Sequence, residues 1–315
     1  MDAELAIKGI HHITLVASRT ERNAHFYVDV LGFRLVKRAT NLDRPNTEHL
    51  IFGDEAGSPG SLVTFFEWPD APPARLGVGS THHLAMTVSS YKGLLQWKTW
   101  LQHAHRLVAG PFDHRAYRSI IITDPDGVIF EIATSDPGWE MVPGQPDAFI
   151  PANDRLATET WPAPVPEISQ DMRLRGLHHI AAISSDLERT DAFYQEVLSI
   201  PCLNRTVDAG DRGTRRWYWS TETGADAGRP GTVIIYTQGG NRERGQVGRG
   251  VTHHFALQVR SEDALHLWRE RLLERGIEVS EVRDREYFRS IYFHGPDGEG
   301  LELATPPNWN ADKGG

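Results

Sequence analysis

Apolar and polar positions alternate in four short runs, each opened by a glycine shortly before a pair of histidines. These are GIHHITLVAS from Gly9, GSTHHLAMTV from Gly79, GLHHIAAISS from Gly176 and GVTHHFALQV from Gly250. A period of two is the mark of a strand with unlike faces. Apolar residues at helical spacing follow the first two runs: Phe26, Val30 and Leu31 after one, Leu94, Leu95, Trp97 and Leu101 after the other. Further alternating stretches, such as SLVTFFEW and GTVIIYT, are punctuated by SPGS, DPDG and GPDG turns. Each run therefore predicts a strand, a helix and then more strands.

The four units are related in pairs. AHFYVDVLGF from Ala24 parallels DAFYQEVLSI from Asp191, and the pairs His12/His179 and Phe26/Phe193 both lie 167 residues apart (179 − 12 and 193 − 26). YRSIIITDPDGVIFEIAT from Tyr117 parallels FRSIYFHGPDGEGLELAT from Phe288, and His83 to Glu131 repeats the spacing of His254 to Glu302, 48 residues (131 − 83 and 302 − 254). Equal spacing in both halves indicates a duplicated duplication. The expected fold class is α+β, with four βαβββ modules paired into two cupped mixed β-sheet barrels. Residues 1–135 form an N-terminal half of two modules. Residues 173–315 form the C-terminal half, and 136–172, with its WPAPVPE stretch, reads as a Pro-rich linker.

Strict alternation separates the two histidines of each run. His11 shares a face with Ile13, Leu15 and Ala17, the apolar face expected to pack on a helix. His12 shares the smaller, more polar face with Thr14 and Val16, and His254 does so with Ala256 and Gln258. Glu131 and Glu302 sit between apolar neighbours with small alternate partners, Ala133 and Ala304. A carboxylate there either projects into a polar cavity or carries a large desolvation cost. Two imidazoles and a carboxylate on a concave sheet form a facial ligand set that leaves open positions on an octahedral ion. Such donors suit Fe(II), with Mn, Ni or Zn as alternatives.

Composition narrows the partners. The chain has 315 residues, 39% hydrophobic and 24% charged, with a net charge of −9. It has no Lys/Arg-rich block for nucleic acid or an anionic membrane, and no run approaching a membrane span. Cys202, the single cysteine, has no disulfide partner within the chain, which fits a reducing, cytoplasmic setting. No GxSxG, HExxH or P-loop pattern supports nucleophilic hydrolysis or nucleotide chemistry.

Four stretches, IKGIHHIT, LGFRLVKRATNLDRPNTEHLIFGDEAGSPGSLVTFFEWP, GVTHHFALQV and DREYFRSIYFHGPDGEGLELAT, carry a family likeness over nearly the whole chain. The chain resembles the vicinal-oxygen-chelate superfamily and, within it, the hydroquinone-type ring-cleaving dioxygenases. That resemblance implies an Fe(II) enzyme inserting O2 into a hydroquinone- or catechol-like diol, with para-hydroquinones preferred. It places the metal ligands on His12, His254 and Glu302, and the neighbouring catalytic groups on Tyr292 and Arg285. Thr14, beside His12, is a candidate substrate contact. The extradiol catechol dioxygenases would instead imply His179, His254 and Glu302. The two sets demand different topologies, since His12 requires modules one and four to pair. His83, Glu131 and His179 remain as a second complete set, expected to converge separately as a poorer duplicate: aligning the two RSI stretches puts Ile121 opposite Tyr292 and His114 opposite Arg285. The rival readings on the same fold are a glyoxalase-like isomerase or lyase using Zn or Ni, and a metal-free small-molecule binding protein. The expected partners are a small aromatic diol and O2, with no nucleic acid and no membrane; a homo-oligomer is left open.

Overall fold

The four His-His runs become four central strands, each starting a module of one plan. A computed structural model describes residues 3–114, 116–136, 150–151, 162–207, 213–238 and 243–309. Module one contains β1 (Ile10–Ala17), α1 (Thr20–Ala24), β2 (Arg34–Thr40), β3 (Glu48–Gly53) and β4 (Leu62–Glu67). Module two contains β5 (Thr81–Thr87), α2 (Tyr91–His103), β6 (Ala109–Asp113), β7 (Arg118–Thr123) and β8 (Ile129–Thr134). After the short β9 (Ile150–Pro151), module three has β10 (Leu177–Ile183), α3 (Leu187–Ala192), β11 (Cys202–Val207), β12 (Arg215–Ser220) and β13 (Val233–Gln238). Module four has β14 (Thr252–Gln258), α4 (Glu262–Glu274), β15 (Arg283–Asp284), β16 (Arg289–His294) and β17 (Gly300–Ala304). No helix among the described residues is long and apolar enough to cross a membrane.

The strands form two mixed sheets, ordered β15-β16-β17-β14-β1-β4-β3-β2 and β11-β12-β13-β10-β5-β8-β7-β6-β9. Modules one and four thus build the first sheet, and modules two and three the second. In each sheet the two His-His strands meet antiparallel at the centre: Thr14 faces His254, and Ala181 faces His83. Beyond them run parallel pairs that set Ala256 against Glu302 and Ala85 against Glu131. Part of the expected linker lies outside the described residues. Its described pieces are put to use: β9 extends the second sheet beside β6, and the carbonyl of buried Met172 accepts a bond from Trp97 Nε1 at 2.5 Å.

One large core cluster draws on both sheets and on the helices. It includes Ile13, Leu15 and Phe65 from the first sheet, Phe130 and Ile180 from the second, and Trp97 and Trp268 from α2 and α4. Tyr27, in the π-helical turn that extends α1, has its ring 4.8 Å from Phe65 and 6.1 Å from Phe130, so the aromatic packing crosses between sheets. Full burial of each such side chain contributes roughly 1.5–3 kcal/mol. The small clusters on the opposite faces lie beside the histidine–glutamate groups: Ile51, Leu62 and Tyr287 in the first sheet, Ala181, Tyr218, Val233 and Ile235 in the second.

The DPDG and GPDG turns brace one sheet to the other. Asp126 of module two accepts from Ser18 Oγ (2.7 Å) and pairs with Arg22, both in module one. Asp297 of module four does the same for Ser185 (2.6 Å) and Arg189 (2.5 Å) of module three. At the pseudo-equivalent Gly79 and Gly250, φ is +78° and +83°, and a Cβ would collide with the carbonyls of Asp297 and Asp126 respectively. Only glycine meets both requirements there.

Each turn also buries a carboxyl against a tyrosine. Asp124 Oδ1 accepts from the amides of Asp126 (2.9 Å) and Val128 (2.8 Å), yet burial outweighs these bonds and pushes its carboxyl up to about 7. Glu299 takes the Tyr236 hydroxyl at 2.8 Å and is likewise raised by burial. A carboxyl whose folded pKa exceeds its unfolded value contributes stability that is full below the unfolded pKa and is lost as pH rises through the folded one. For Asp124 that window runs from 3.8 to about 7. Asp124→Asn, which keeps an Oδ1 acceptor, should therefore flatten the fall of Tm across this window. A slope identical to wild type in calorimetry at a series of pH values would show that Asp124 is already ionised at its lower end.

Candidate metal centre

The central strands bulge where they meet. Ile10 faces Leu257 and His12 faces Ala256, so His11 has no opposite number; Thr14 faces His254 and Leu15 faces Thr252, so His253 has none either. His178 and His82 occupy the same bulges in the second sheet. This corrects the strict alternation expected from the sequence, since a bulge places two successive residues opposite one and re-aims the side chains. The first histidine of each pair, expected on the helix-packing face, instead turns to the side of the second: the His11 ring lies 5.3 Å from Phe288 and the His178 ring 5.0 Å from Tyr117. His11 Nδ1 lies 2.8 Å from His12 Nδ1, and the same contact recurs at 2.8 Å in His253/His254 and His82/His83 and at 2.9 Å in His178/His179. Burial, then the neighbouring imidazole, holds His11 and His253 down to about 3, so both are neutral. An imidazole that uses Nε2 as a ligand keeps its proton on Nδ1 and donates it to a neighbouring acceptor, which fixes tautomer and ring orientation. The outer histidines are placed to be those acceptors.

In the first sheet His12, His254 and Glu302 converge. Glu302 Oε2 lies 3.1 Å from His12 Nε2 and 2.8 Å from His254 Nε2, and all three side chains are at most 4% exposed. Burial opposes ionisation of Glu302, but the two imidazoles outweigh it and hold the carboxyl well below its ordinary range. His254 Nε2 and both Glu302 oxygens are buried without a hydrogen-bond partner. Donors bound at right angles with bonds of ~2.1 Å stand about 3.0 Å apart, the span seen here. Unpartnered, converging N and O donors at that spacing fit a divalent cation. His83, Glu131 and His179 converge separately in the second sheet, where Ile121 stands opposite Glu131 as Tyr292 stands opposite Glu302.

The other expected residues gather around the first group. Arg285 Nε donates to Tyr292 Oη at 2.9 Å, and the Tyr292 ring packs edge-on against His254 with centroids 5.4 Å apart. Removal from water, then the charge of Glu302, raises the Tyr292 hydroxyl well above its ordinary value, so it keeps its proton. Thr14 lies in the cavity wall with His12, its Oγ1 2.9 Å from Thr64 Oγ1. Four further residues join them. Asp43, from the β2–β3 loop, binds Arg283 (3.0 Å) and Arg285 (3.1 Å) and latches that loop to the strap before β16. Phe66 and Phe288 add aromatic walls, and His49 presents an Nε2 that is buried without a hydrogen-bond partner. The sequence signal of Asp43, Phe66 and Phe288 was only their place inside the family-like stretches; nothing in local spacing reports a contact between residues 43 and 285.

The cavity over the first group is only about 20 Å³. A neighbouring cavity of about 390 Å³ shares four of its walls, Phe66, His254, Arg285 and Tyr292. Those residues form the partition, and Arg285, tied to exposed Asp43, is its charged part.

The sequence model of the family described as "Glyoxalase/Bleomycin resistance protein/Dioxygenase superfamily" matches residues 9–132 and again 176–303. The chain is 31% identical over 306 residues to MhqO of Bacillus subtilis (strain 168), provisionally named a ring-cleaving dioxygenase, covering 95% of this chain and 85% of the relative. It is 25% identical over 316 residues to the chlorohydroquinone/hydroquinone 1,2-dioxygenase of Sphingobium indicum, covering 98% and 88%. Among solved structures, a Bacillus subtilis protein provisionally named a dioxygenase superposes with a TM-score of 0.76 at 27% identity, over 98% of this chain and 88% of that one. Glyoxalase I from Zea mays superposes with a TM-score of 0.63 at 14% identity, over 97% and 94%, a likeness of fold alone.

Proposed function

The chain belongs to the Glyoxalase/Bleomycin resistance protein/Dioxygenase superfamily, and from that footing we propose that it is a dioxygenase that cleaves the ring of a hydroquinone-type aromatic diol, with His12, His254 and Glu302 holding Fe(II). The observation that carries this reading is the set of unpartnered buried donors, His254 Nε2 and the Glu302 oxygens, beside His12 and beneath Tyr292. The names of the Bacillus and Sphingobium relatives point to the same reaction class. Bound in this set, Fe(II) would supply the one-electron chemistry that lets O2 react with an aromatic ring.

The chain's own groups have separable tasks. Glu302 provides the only anionic donor of the set. Tyr292, held protonated, donates a hydrogen bond or proton into the cavity while its oxygen accepts from Arg285. Arg285 stabilises negative charge on the diol as it loses a proton. Thr14, Phe66 and Phe288 shape the slot for a flat ring. An engineered cavity that admits benzene measures about 150 Å³, so the diol enters by moving the Arg285 partition away from Asp43 and joining the two cavities. Closure behind it excludes water.

His49 gives the diol its orientation. A para-hydroquinone has its second hydroxyl across the ring, and in this proposal that hydroxyl goes to His49, which lines the same cavity and has an Nε2 without a hydrogen-bond partner. A catechol has both oxygens on one side and leaves His49 unpaired, a cost of about 1–3 kcal/mol. With the Fe(II)-loaded chain in an oxygen electrode, kcat/KM for methyl- or chlorohydroquinone should exceed that for catechol at least about 10-fold. Faster cleavage of catechol than of every substituted hydroquinone would overturn the preference. Turnover by metal-free protein in excess chelator would overturn the metal-dependent reading itself.

A further inference from the structure

We propose that His83, Glu131 and His179 form a second divalent-cation site on the second sheet, so that each chain holds two metal ions rather than one ion and a relic. The three donor atoms make a compact triangle. His83 Nε2 is 3.0 Å and His179 Nε2 3.3 Å from Glu131 Oε2, and the two Nε2 atoms are 3.1 Å apart. Around an ion with bonds of ~2.1 Å, donors at right angles stand about 3.0 Å apart, so all three edges suit one face of an octahedron.

Hydrogen bonding does not account for the triangle. Each Nε2 carries at most one proton and an ionised Glu131 carries none. If both imidazoles donate to Oε2, two N–H groups face each other across the 3.1 Å edge. If only one donates to it, the other Nε2 sets a lone pair against the carboxylate. A cation at the centre makes all three contacts favourable.

The surroundings are built to aim these atoms. His82 and His178 take up the Nδ1 positions of His83 and His179 at 2.8 and 2.9 Å, as His11 and His253 do in the first sheet. His114 Nε2 lies 3.5 Å from Glu131 Oε1 and occupies the far side of the carboxylate, leaving Oε2 to the two imidazoles. His179 and Glu131 are at most 2% exposed, whereas His83 is 19% exposed and faces a cavity of about 310 Å³. That cavity is far larger than the 20 Å³ over the first group, with Ile121, Ala181, Ile183 and Ile235 among its walls and Arg216 and Thr237 as polar parts. The ion reaches this site without displacing a latch such as Asp43–Arg285, and waters fill its remaining positions. With two imidazoles and a carboxylate the class of ion is a first-row divalent metal.

The experiment counts ions on the intact, metal-free chain, using Mn(II) alone as the probe and electron paramagnetic resonance of unbound Mn(II) as the readout. Wild type should bind two ions per chain. Glu131→Gln and Glu302→Gln should each bind one, and the double variant none. His83→Ala, a truncation at a partly exposed position, should match Glu131→Gln and decides the matter if the latter does not fold. One ion in wild type, lost in Glu302→Gln but kept in Glu131→Gln and His83→Ala, overturns the second site and leaves the proposed function standing. One ion lost only in Glu131→Gln and His83→Ala supports the second site and removes the basis of the proposed function.

Discussion

Glu302→Gln should abolish O2 consumption with every hydroquinone and weaken Fe(II) binding at the His12–His254 site by at least about 100-fold, more than the 10–100-fold typical of losing a group behind a ligand. The change removes the one negative charge of that set and keeps its shape. In the metal-free chain the carboxylate is fully buried, and burying a charge costs several kcal/mol unless it is repaid. Here the two imidazoles outweigh that cost, so without metal the variant should fold less stably than wild type. It should lose most of the rise in Tm that Fe(II) confers, because an ion stabilises the folded state in proportion to its affinity. Anaerobic Fe(II) titration, melting with and without Fe(II), and an oxygen electrode read the three effects. Wild-type turnover in a variant that retains its iron would remove Glu302 from the centre.

Tyr292→Phe should lower kcat by about 100-fold, at the low end of the range for a positioned general acid, with little change in metal content. The ring that packs on His254 remains, so the imidazole keeps its orientation. What disappears is a proton held in place by burial and a hydroxyl oxygen that accepts from Arg285. A loss confined to kcat marks an interaction made in the transition state. A matching rise in KM with kcat intact would mark one made with bound substrate. That second pattern, seen in steady-state kinetics over a hydroquinone series, would reassign Tyr292 from proton donor to binding contact. Arg285→Lys is the companion variant: a lysine has no planar fork with which to hold both Tyr292 and Asp43.

Much of the fold was legible because duplication repeats its signals. Equal spacings from His83 to Glu131 and from His254 to Glu302 mark modules two and four as copies of one βαβββ plan. The strand–helix–strand order of each module follows from periods of two and 3.6. The ligand-like residues His12, His254 and Glu302 were legible as types, through a carboxylate set among apolar neighbours. Their convergence depends on β14 taking β1 and not β10 as its partner, a choice between strands of nearly equal pattern that local sequence does not encode. The bulges at His11, His82, His178 and His253 were missed because alternation presumes a regular ladder, and one extra residue leaves no mark in composition. The Asp43 latch was missed for another reason. An exposed aspartate in a polar loop looks the same whether it meets water or an arginine 242 residues away.

The crossed pairing of modules also dictates an order of birth. His12 leaves the ribosome 242 residues ahead of His254, its partner on the neighbouring strand. At roughly 5–20 residues per second, that is about 12–50 s of synthesis. Modules two and three are consecutive, so β5 and β10 are free to join while translation continues. The IHHITLVA strand of module one meanwhile waits with an open edge, able to hydrogen-bond to the same strand of a neighbouring nascent chain. Polysomes bring such chains close together, so module one, made first, is the module most exposed to mispairing, and the His12–His254–Glu302 group is among the last features a newborn chain acquires.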